Sequence, residues 1–361
     1  MTTQSGKTAL ITGASSGIGK ELATLFAKDG FNLVLVALDD DKLQSVGEGF
    51  RDQYSGRKIT VIGKDLATVN APQEIYDEVK QQGITVDVLV NNAGFGEYGM
   101  FATETDINKE RDVIQVNITA LVYLTKLFSK DMVQRNEGKI LMLGSVASVM
   151  PNPMMAVYGA TKSFIYSFSE ALRNELKDTN VTVTVLMPGA TDTDFFNRAG
   201  AMNTKAQEEA RKTDPATVAK DGYDALMAGK DKVVSGLMNK VSVAASYLLP
   251  DGAVAANTRR MMQDKNYATD REEEDNLTNT LLIGVGVAAI ALAGLYLFRS
   301  YGNMSYYDKL RYRAKAKGLE LKAKGYANKY AHQAETAGQS AVDSVKGAFY
   351  NGKAKVEEAL S

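Results

Sequence analysis

Apolar positions in the first 190 residues follow two rhythms. Short apolar runs recur at Thr8–Thr12, Asn32–Ala37, 58–63, 86–91, 138–144 and Val181–Met187. Most are continuous rather than alternating, the pattern of strands buried on both faces. Between them lie longer stretches with helical spacing, at 19–28, 73–82, 106–135 and 157–177. Strand and helix in regular succession predict an α/β fold: a Rossmann-like, doubly wound parallel sheet with helices on both faces.

The regular alternation stops near residue 190. Asp214-Pro215 reads as a helix start, with Pro at the first helical position. Residues 191–211, polar with small side chains, suit a flap over a site. From residue 270 the composition changes. An acidic run, DREEED, precedes 276–298, which holds no charged residue. A helix of that length spans roughly 34 Å, against a hydrocarbon core of about 30 Å. The expected organisation is therefore a catalytic domain over 1–265, an acidic linker over 266–275, a transmembrane helix over 276–298 and a basic tail, helical or disordered, over 299–361.

Composition narrows the chemistry. The 361 residues contain no cysteine and one histidine, His332, in the tail. Disulfides, thiolate metal sites and cysteine nucleophiles are excluded, a Ser-His-Asp triad in the main domain is excluded, and no metal site is expected. The net charge of −1 hides an asymmetry: after Phe298, 12 Lys and Arg face 6 Asp and Glu, so the tail carries +6 and the remainder −7. An acidic body argues against nucleic acid as a partner. The start of the chain runs from a short polar stretch into a strand pattern, so no secretory signal is expected.

The first strand ends in TGASSGIG, with Gly13, Gly17 and Gly19. Glycines there let the backbone approach a pyrophosphate, and the next helix directs its free N–H groups at the anion. Ser15 and Ser16 add hydroxyl donors. A plain tight turn is the alternative; the position after an apolar strand and before a helix favours the dinucleotide. The second strand runs into Asp39, Asp40 and Asp41. Acidic residues there suit the ribose 2′-hydroxyl of NAD, whereas a 2′-phosphate would meet like charge. The lean is to NAD, with NADP open, since the three aspartates could simply cap a helix.

TGASSGIG at 12–19, NNAG at 91–94, Asn117, Ser145, YGATK at 158–162 and Pro188-Gly189 together resemble the ordered motif set of the short-chain dehydrogenases/reductases. The resemblance covers roughly residues 5–262. It implies an oxidoreductase that moves a hydride between a nicotinamide cofactor, NAD or NADP, and a carbonyl/alcohol substrate. Tyr158 and Lys162, at i and i+4, share one helix face. A lysine cation favours the phenolate and draws a tyrosine from a pKa near 10 toward working pH. Ser145 follows the fifth strand, where ligands bind in such sheets. The resemblance further implies that Lys162 binds the nicotinamide ribose and that Asn117 holds a water in a proton relay. It sets Asp65 and Leu66 at the adenine, Ile18 with the glycine turn, and Asn92, Ala93 and Gly94 along the cofactor. Pro188, Gly189, Thr191 and Thr193 would flank the nicotinamide. Asn117 could instead cap a helix bend, and Asp65 the next helix.

Met150, Met154, Met155, Phe195 and Phe196 hint at an apolar small-molecule substrate, although such residues more often serve packing. A homo-oligomer is expected from the resemblance. Residues 276–298 mix Gly and Ala with Leu, Ile and Val, suiting helix packing in lipid; a buried oligomerisation helix is the alternative. Flanking charge favours the tail in the cytoplasm, yet the enzyme needs a nicotinamide pool. The expectation is membrane association with the catalytic domain on the cytoplasmic side. The competing reading, a nucleotide-binding scaffold without turnover, sits poorly with the intact Ser145, Tyr158, Lys162 and Asn117.

Overall fold

The computed structural model describes residues 6–38, 41–247 and 249–264. The linker, the apolar segment 276–298, the basic tail and Asp39 lie outside the described residues. Among the described residues, no helix is long and apolar enough to cross a membrane.

The elements run β1 (Thr8–Thr12), α1 (Gly17–Lys28), β2 (Asn32–Ala37), α2 (Asp41–Gln53), β3 (Ile59–Gly63), α3 (Ala71–Gln81), β4 (Val88–Asn91), α4 (Ile107–Ile114), α5 (Leu121–Arg135), β5 (Gly138–Leu143), α6 (Ala156–Glu175), β6 (Val181–Met187), α7 (Phe195–Ala199), α8 (Lys205–Ala210), α9 (Pro215–Met227), β7 (Lys232–Val234), α10 (Leu237–Ser246) and α11 (Asp251–Met262). A π turn, Gln115–Ala120, joins α4 to α5, and a 3-10 turn, Val146–Val149, precedes α6.

All seven strands pair in parallel, in the order β3-β2-β1-β4-β5-β6-β7. The order reverses between β1 and β4, and a ligand crevice opens beyond the strand ends at such a reversal. Every residue of β1 is buried, as its unbroken apolar run predicts. On one face α1, α2 and α9 pack around Phe26, Phe31, Leu43 and Tyr223; on the other lie α3, α5 and α6. Edge-on aromatic pairs, Phe26 with Phe31 and with Tyr223, fasten α1 to the residue before β2 and to α9.

Six expected strands appear within two residues of their expected bounds. The seventh, β7, is three residues long and only partly buried, too short to carry a period. The expected helix over 106–135 is interrupted by the π turn, and α9 starts at Pro215 behind the Asp214 cap. The flap region folds as two short helices, α7 and α8.

One compact unit holds the described residues up to Asn239 together with Thr258–Asp264; Lys240–Asn257 belongs to a second unit. The site lies wholly in the first.

Candidate active site

The turn after β1 is fixed by close backbone approach. Gly13 and Gly17 have φ of +66° and +52°, which favours glycine. A β-carbon on Gly19 would lie 2.3 Å from the Gly13 carbonyl oxygen, and one on Gly13 would lie 2.8 Å from Asn92 Nδ2. Thr12 binds this turn to the end of β4. Its hydroxyl donates to the Val90 carbonyl (3.2 Å) and accepts from the backbone N–H of Asn92 and Ala93, both at 3.0 Å. Asn92 Nδ2 donates back to the carbonyls of Thr12 (2.8 Å) and Gly13 (3.2 Å). Ser15 is buried, Ile18 packs against the core, and Ser16 caps α1 from extended backbone without a side-chain bond to the helix. The first N–H groups of α1 have no partner within the helix, as at any helix start.

A second cluster forms beyond β5. Ser145 caps the 3-10 turn: its hydroxyl accepts from Ala147 N–H (3.1 Å), and its own N–H donates to Ser148 Oγ (3.1 Å). The same hydroxyl reaches the Pro188 carbonyl at 3.4 Å, and Val146 N–H donates to that carbonyl at 2.9 Å. Ser145 is thereby stitched to the Pro188-Gly189 turn. Tyr158 lies in the first turn of α6, and Lys162 one turn on, its Nζ 5.6 Å from the Tyr158 ring centre. Lys162 Nζ donates to the Leu143 carbonyl at 2.7 Å.

Burial pushes Tyr158 up to about 12, while a hydrogen bond from Ser145 pulls the other way. Burial pushes Lys162 down to about 8. The expectation that the lysine draws the tyrosine toward neutral pH is thus not met. Desolvation is the largest influence on Tyr158, and the Lys162 ammonium is directed at the end of β5.

Asn117 lies in the π turn, fully buried. Its Oδ1 accepts from Phe95 N–H (3.1 Å), and its Nδ2 donates to the Phe95 carbonyl (2.9 Å) and to Thr161 Oγ1 (3.0 Å). The side chain clamps the loop after β4 to α6. Gly94 sits between them: a β-carbon there would lie 2.9 Å from Asn117 Oδ1 and 3.5 Å from Lys162 Nζ.

The remaining expected residues divide. Thr193 comes to the glycine turn, its Cγ2 2.8 Å from where a β-carbon on Gly17 would stand. Thr191, buried, donates to the Gly189 carbonyl at 3.0 Å. Asp65 stands exposed after β3, where its Oδ1 accepts from Ala67 N–H at 2.9 Å, and Leu66 beside it is buried. That bond closes a local turn ahead of α3, whose cap position is Asn70.

Three side chains escaped the sequence reading. Thr12 is a polar residue ending an apolar strand, a signal the pattern does carry. Asn239 lies across Gly189, where a β-carbon would come within 2.4 Å of its Oδ1. Tyr98 joins an apolar group beside Tyr158 that includes Met154, Met155, Phe195, Phe196 and Met262. Phe195 and Tyr158 have ring centres 5.0 Å apart.

This arrangement has counterparts. A family model described as short chain dehydrogenase matches residues 7–204. Mouse 17-beta-hydroxysteroid dehydrogenase type 3 is 32% identical over 210 residues, 56% of this chain and 66% of that protein. The very-long-chain 3-oxoacyl-CoA reductase of Mycosarcoma maydis is 36% identical over 180 residues, 49% of this chain and 51% of that protein. The chain spans between half and two thirds of the length of these curated relatives. A solved short-chain dehydrogenase from Sphingobium yanoikuyae, in complex with NADPH, superposes with a TM-score of 0.60 at 29% identity, covering 73% of this chain and 99% of that one. The chain belongs to the short-chain dehydrogenase family.

Proposed function

We propose that this protein is a nicotinamide-dependent oxidoreductase interconverting a carbonyl and an alcohol. The observation that carries the reading is the convergence of Tyr158, Ser145 and Lys162 on one point beyond the strand ends. The glycine turn supports it. A turn packed too closely on Asn92 and Ala93 to admit a β-carbon at Gly13 or Gly19, leading into a 12-residue helix whose first N–H groups are open, suits the pyrophosphate of a dinucleotide. Gly13, Ser15, Ser16, Gly17, Ile18 and Gly19 would hold the phosphates. Asn92, Ala93 and Gly94 would line the middle, and Pro188, Gly189, Thr191 and Thr193 the nicotinamide end. When bound, the nicotinamide supplies or accepts the hydride.

The chain's own residues handle the proton. With its pKa pushed up to about 12, Tyr158 holds its proton at neutral pH and is set to donate it to a carbonyl oxygen, the direction of reduction. The Ser145 hydroxyl, the polar side chain that faces Tyr158, holds that oxygen in place. Lys162 stabilises the phenolate left behind and is placed to bind the ribose. Asn117 acts by positioning: it fixes the 94–95 loop against α6 and keeps Lys162 in register.

The cofactor is NAD or NADP. The acidic run Asp39–Asp41 weighs toward NAD, and the NADPH complex of the Sphingobium relative weighs the other way. The relatives' names point to hydrophobic ketones, steroid or 3-oxoacyl, and the apolar side chains beside Tyr158 suit such a substrate. Residues 276–298 serve, in this reading, as a membrane anchor with the enzyme on the cytoplasmic side; support comes from sequence, 23 residues without charge. A homo-oligomer completes it.

The test is turnover of a ketone panel, from cyclohexanone to a 17-ketosteroid and a 3-oxoacyl thioester, with NADH and with NADPH, followed by nicotinamide absorbance. Turnover above background is expected. No turnover with either cofactor, together with tight dinucleotide binding, would replace the enzyme reading with a nucleotide-binding scaffold. Protease protection of the tail in sealed membranes tests the anchor.

A further inference from the structure

Three segments far apart in sequence meet on the substrate side of Tyr158, and Tyr98 touches or adjoins each. Its N–H donates to the Ala199 carbonyl at 3.0 Å, at the end of α7. Its neighbour Gly99 donates to the Met154 carbonyl at 2.9 Å. Its hydroxyl donates to the Met262 carbonyl at 2.8 Å, across 164 positions of sequence. Met262 ends α11, where carbonyls lack partners within the helix, so the tyrosine meets a group that helix geometry leaves open. Just beyond, Asp264 pairs with Thr204 in an antiparallel bridge. The ring of Tyr98 packs with Met155, Phe196 and Met262, all buried. Two residues earlier, Gly96 lies against the reacting tyrosine itself: a β-carbon there would stand 3.2 Å from Tyr158 Cδ2 and 2.5 Å from Met155 Cε.

We propose that Tyr98 is a specificity-determining residue whose hydroxyl holds segment 258–264 in the apolar wall beside Tyr158, and so sets the preference for bulky apolar ketones over small ones. The inference rests on the oxidoreductase reading above. A small ketone needs only Tyr158 and Ser145. A bulky apolar one must also lie against Met155, Phe196 and Met262, and gains from that wall only while the wall is held. Tyrosine suits the task, with a rigid ring for the apolar cluster and one polar tip for the carbonyl.

The test compares full-length wild type with Tyr98→Phe, which keeps the ring, and Met262→Ala, which keeps the carbonyl and shortens the wall. Each is assayed on cyclohexanone and on a 17-ketosteroid, with hydrogen exchange of residues 258–264 read in parallel. Tyr98→Phe is expected to raise KM for the ketosteroid about fivefold, the loss of one hydrogen bond at about 1.4 kcal/mol per tenfold. It should leave kcat and the cyclohexanone KM within about twofold and speed exchange in 258–264. Met262→Ala should shift the same ratio with the Tyr98 hydroxyl still bonded to the residue 262 carbonyl. An unchanged ketosteroid-to-cyclohexanone ratio in both variants overturns the proposal, as does an equal loss on both ketones, which marks a general structural role. If wild type turns over neither ketone nor any other member of the panel, the oxidoreductase reading itself has failed and this inference with it.

Discussion

The two sides of the site are held by different means. The cofactor side is backbone against backbone: Gly13, Gly17 and Gly19 lie against Asn92 and Ala93, and one threonine hydroxyl closes the seam. The substrate side is side chain against side chain: Met155, Phe196 and Met262 arrive from segments more than 100 residues apart at the extremes and meet around Tyr98 and Tyr158. The first side admits almost no substitution, because a β-carbon has nowhere to go. The second can change residue by residue while keeping its volume. A chemistry common to many relatives can therefore persist on the cofactor side while the substrate side drifts.

Four experiments stress that contrast. The largest effect belongs between the two sides: Tyr158→Phe should lower kcat by about 10² to 10⁴, the usual worth of a positioned proton donor, with dinucleotide affinity intact. Near-normal kcat would remove Tyr158 from the chemistry. Next, Gly19→Ala forces a contact near 2.3 Å with the Gly13 carbonyl. Dinucleotide affinity measured by fluorescence titration should fall at least about tenfold, with a loss of about 1 to 3 kcal/mol in stability from overpacking. A variant that binds normally would show the turn to be softer than its geometry implies.

Thr12→Val is smaller. It leaves the buried N–H groups of Asn92 and Ala93 without their acceptor, at a cost of about 1 to 3 kcal/mol in denaturant unfolding. An unchanged midpoint would mean that the seam is held elsewhere.

An effect of similar size, about 2 kcal/mol, is one of pH. Folded Lys162 gives up its proton near 8, whereas in the unfolded chain it does so near 10.5. Between those values the unfolded state binds more protons, so stability rises with pH. The stability of wild type relative to Lys162→Met should therefore increase from pH 8 to 10. Above 10 Tyr158 acts with opposite sign, since the folded tyrosine keeps its proton to about 12. A flat difference between pH 8 and 10 would place Lys162 in wetter surroundings than its contacts imply.

How far the sequence could be read follows from the same contrast. The glycine turn and β1 are local: strand, turn and helix lie within 20 residues, and steric rules act on neighbours. Tyr158 and Lys162 are legible because helical geometry alone sets i and i+4 on one face. Ser145 is legible from its place after an apolar run. Tyr98 is not, since its partners at Ala199 and Met262 are joined to it only by the folded chain. The direction of the Tyr158 shift was missed for a related reason: spacing reveals the neighbouring lysine but not the burial of the tyrosine. Asp65 reads equally well as adenine contact and as helix cap; its bond to Ala67 N–H belongs to a turn ahead of α3, which starts behind Asn70.

The π turn at Gln115–Ala120 gives the long helix two phases. A residue added to or removed from an α-helix rotates everything beyond it by about 100°. A π turn is such an extra residue, absorbed in place. Upstream, α4 faces α6; downstream, α5 faces α3 and the sheet. A single-residue deletion within 115–120 would regularise the helix yet turn one half off its packing surface, and Asn117 away from Phe95. In this helix a more regular backbone would make a worse protein, so length variation among relatives should avoid those six positions.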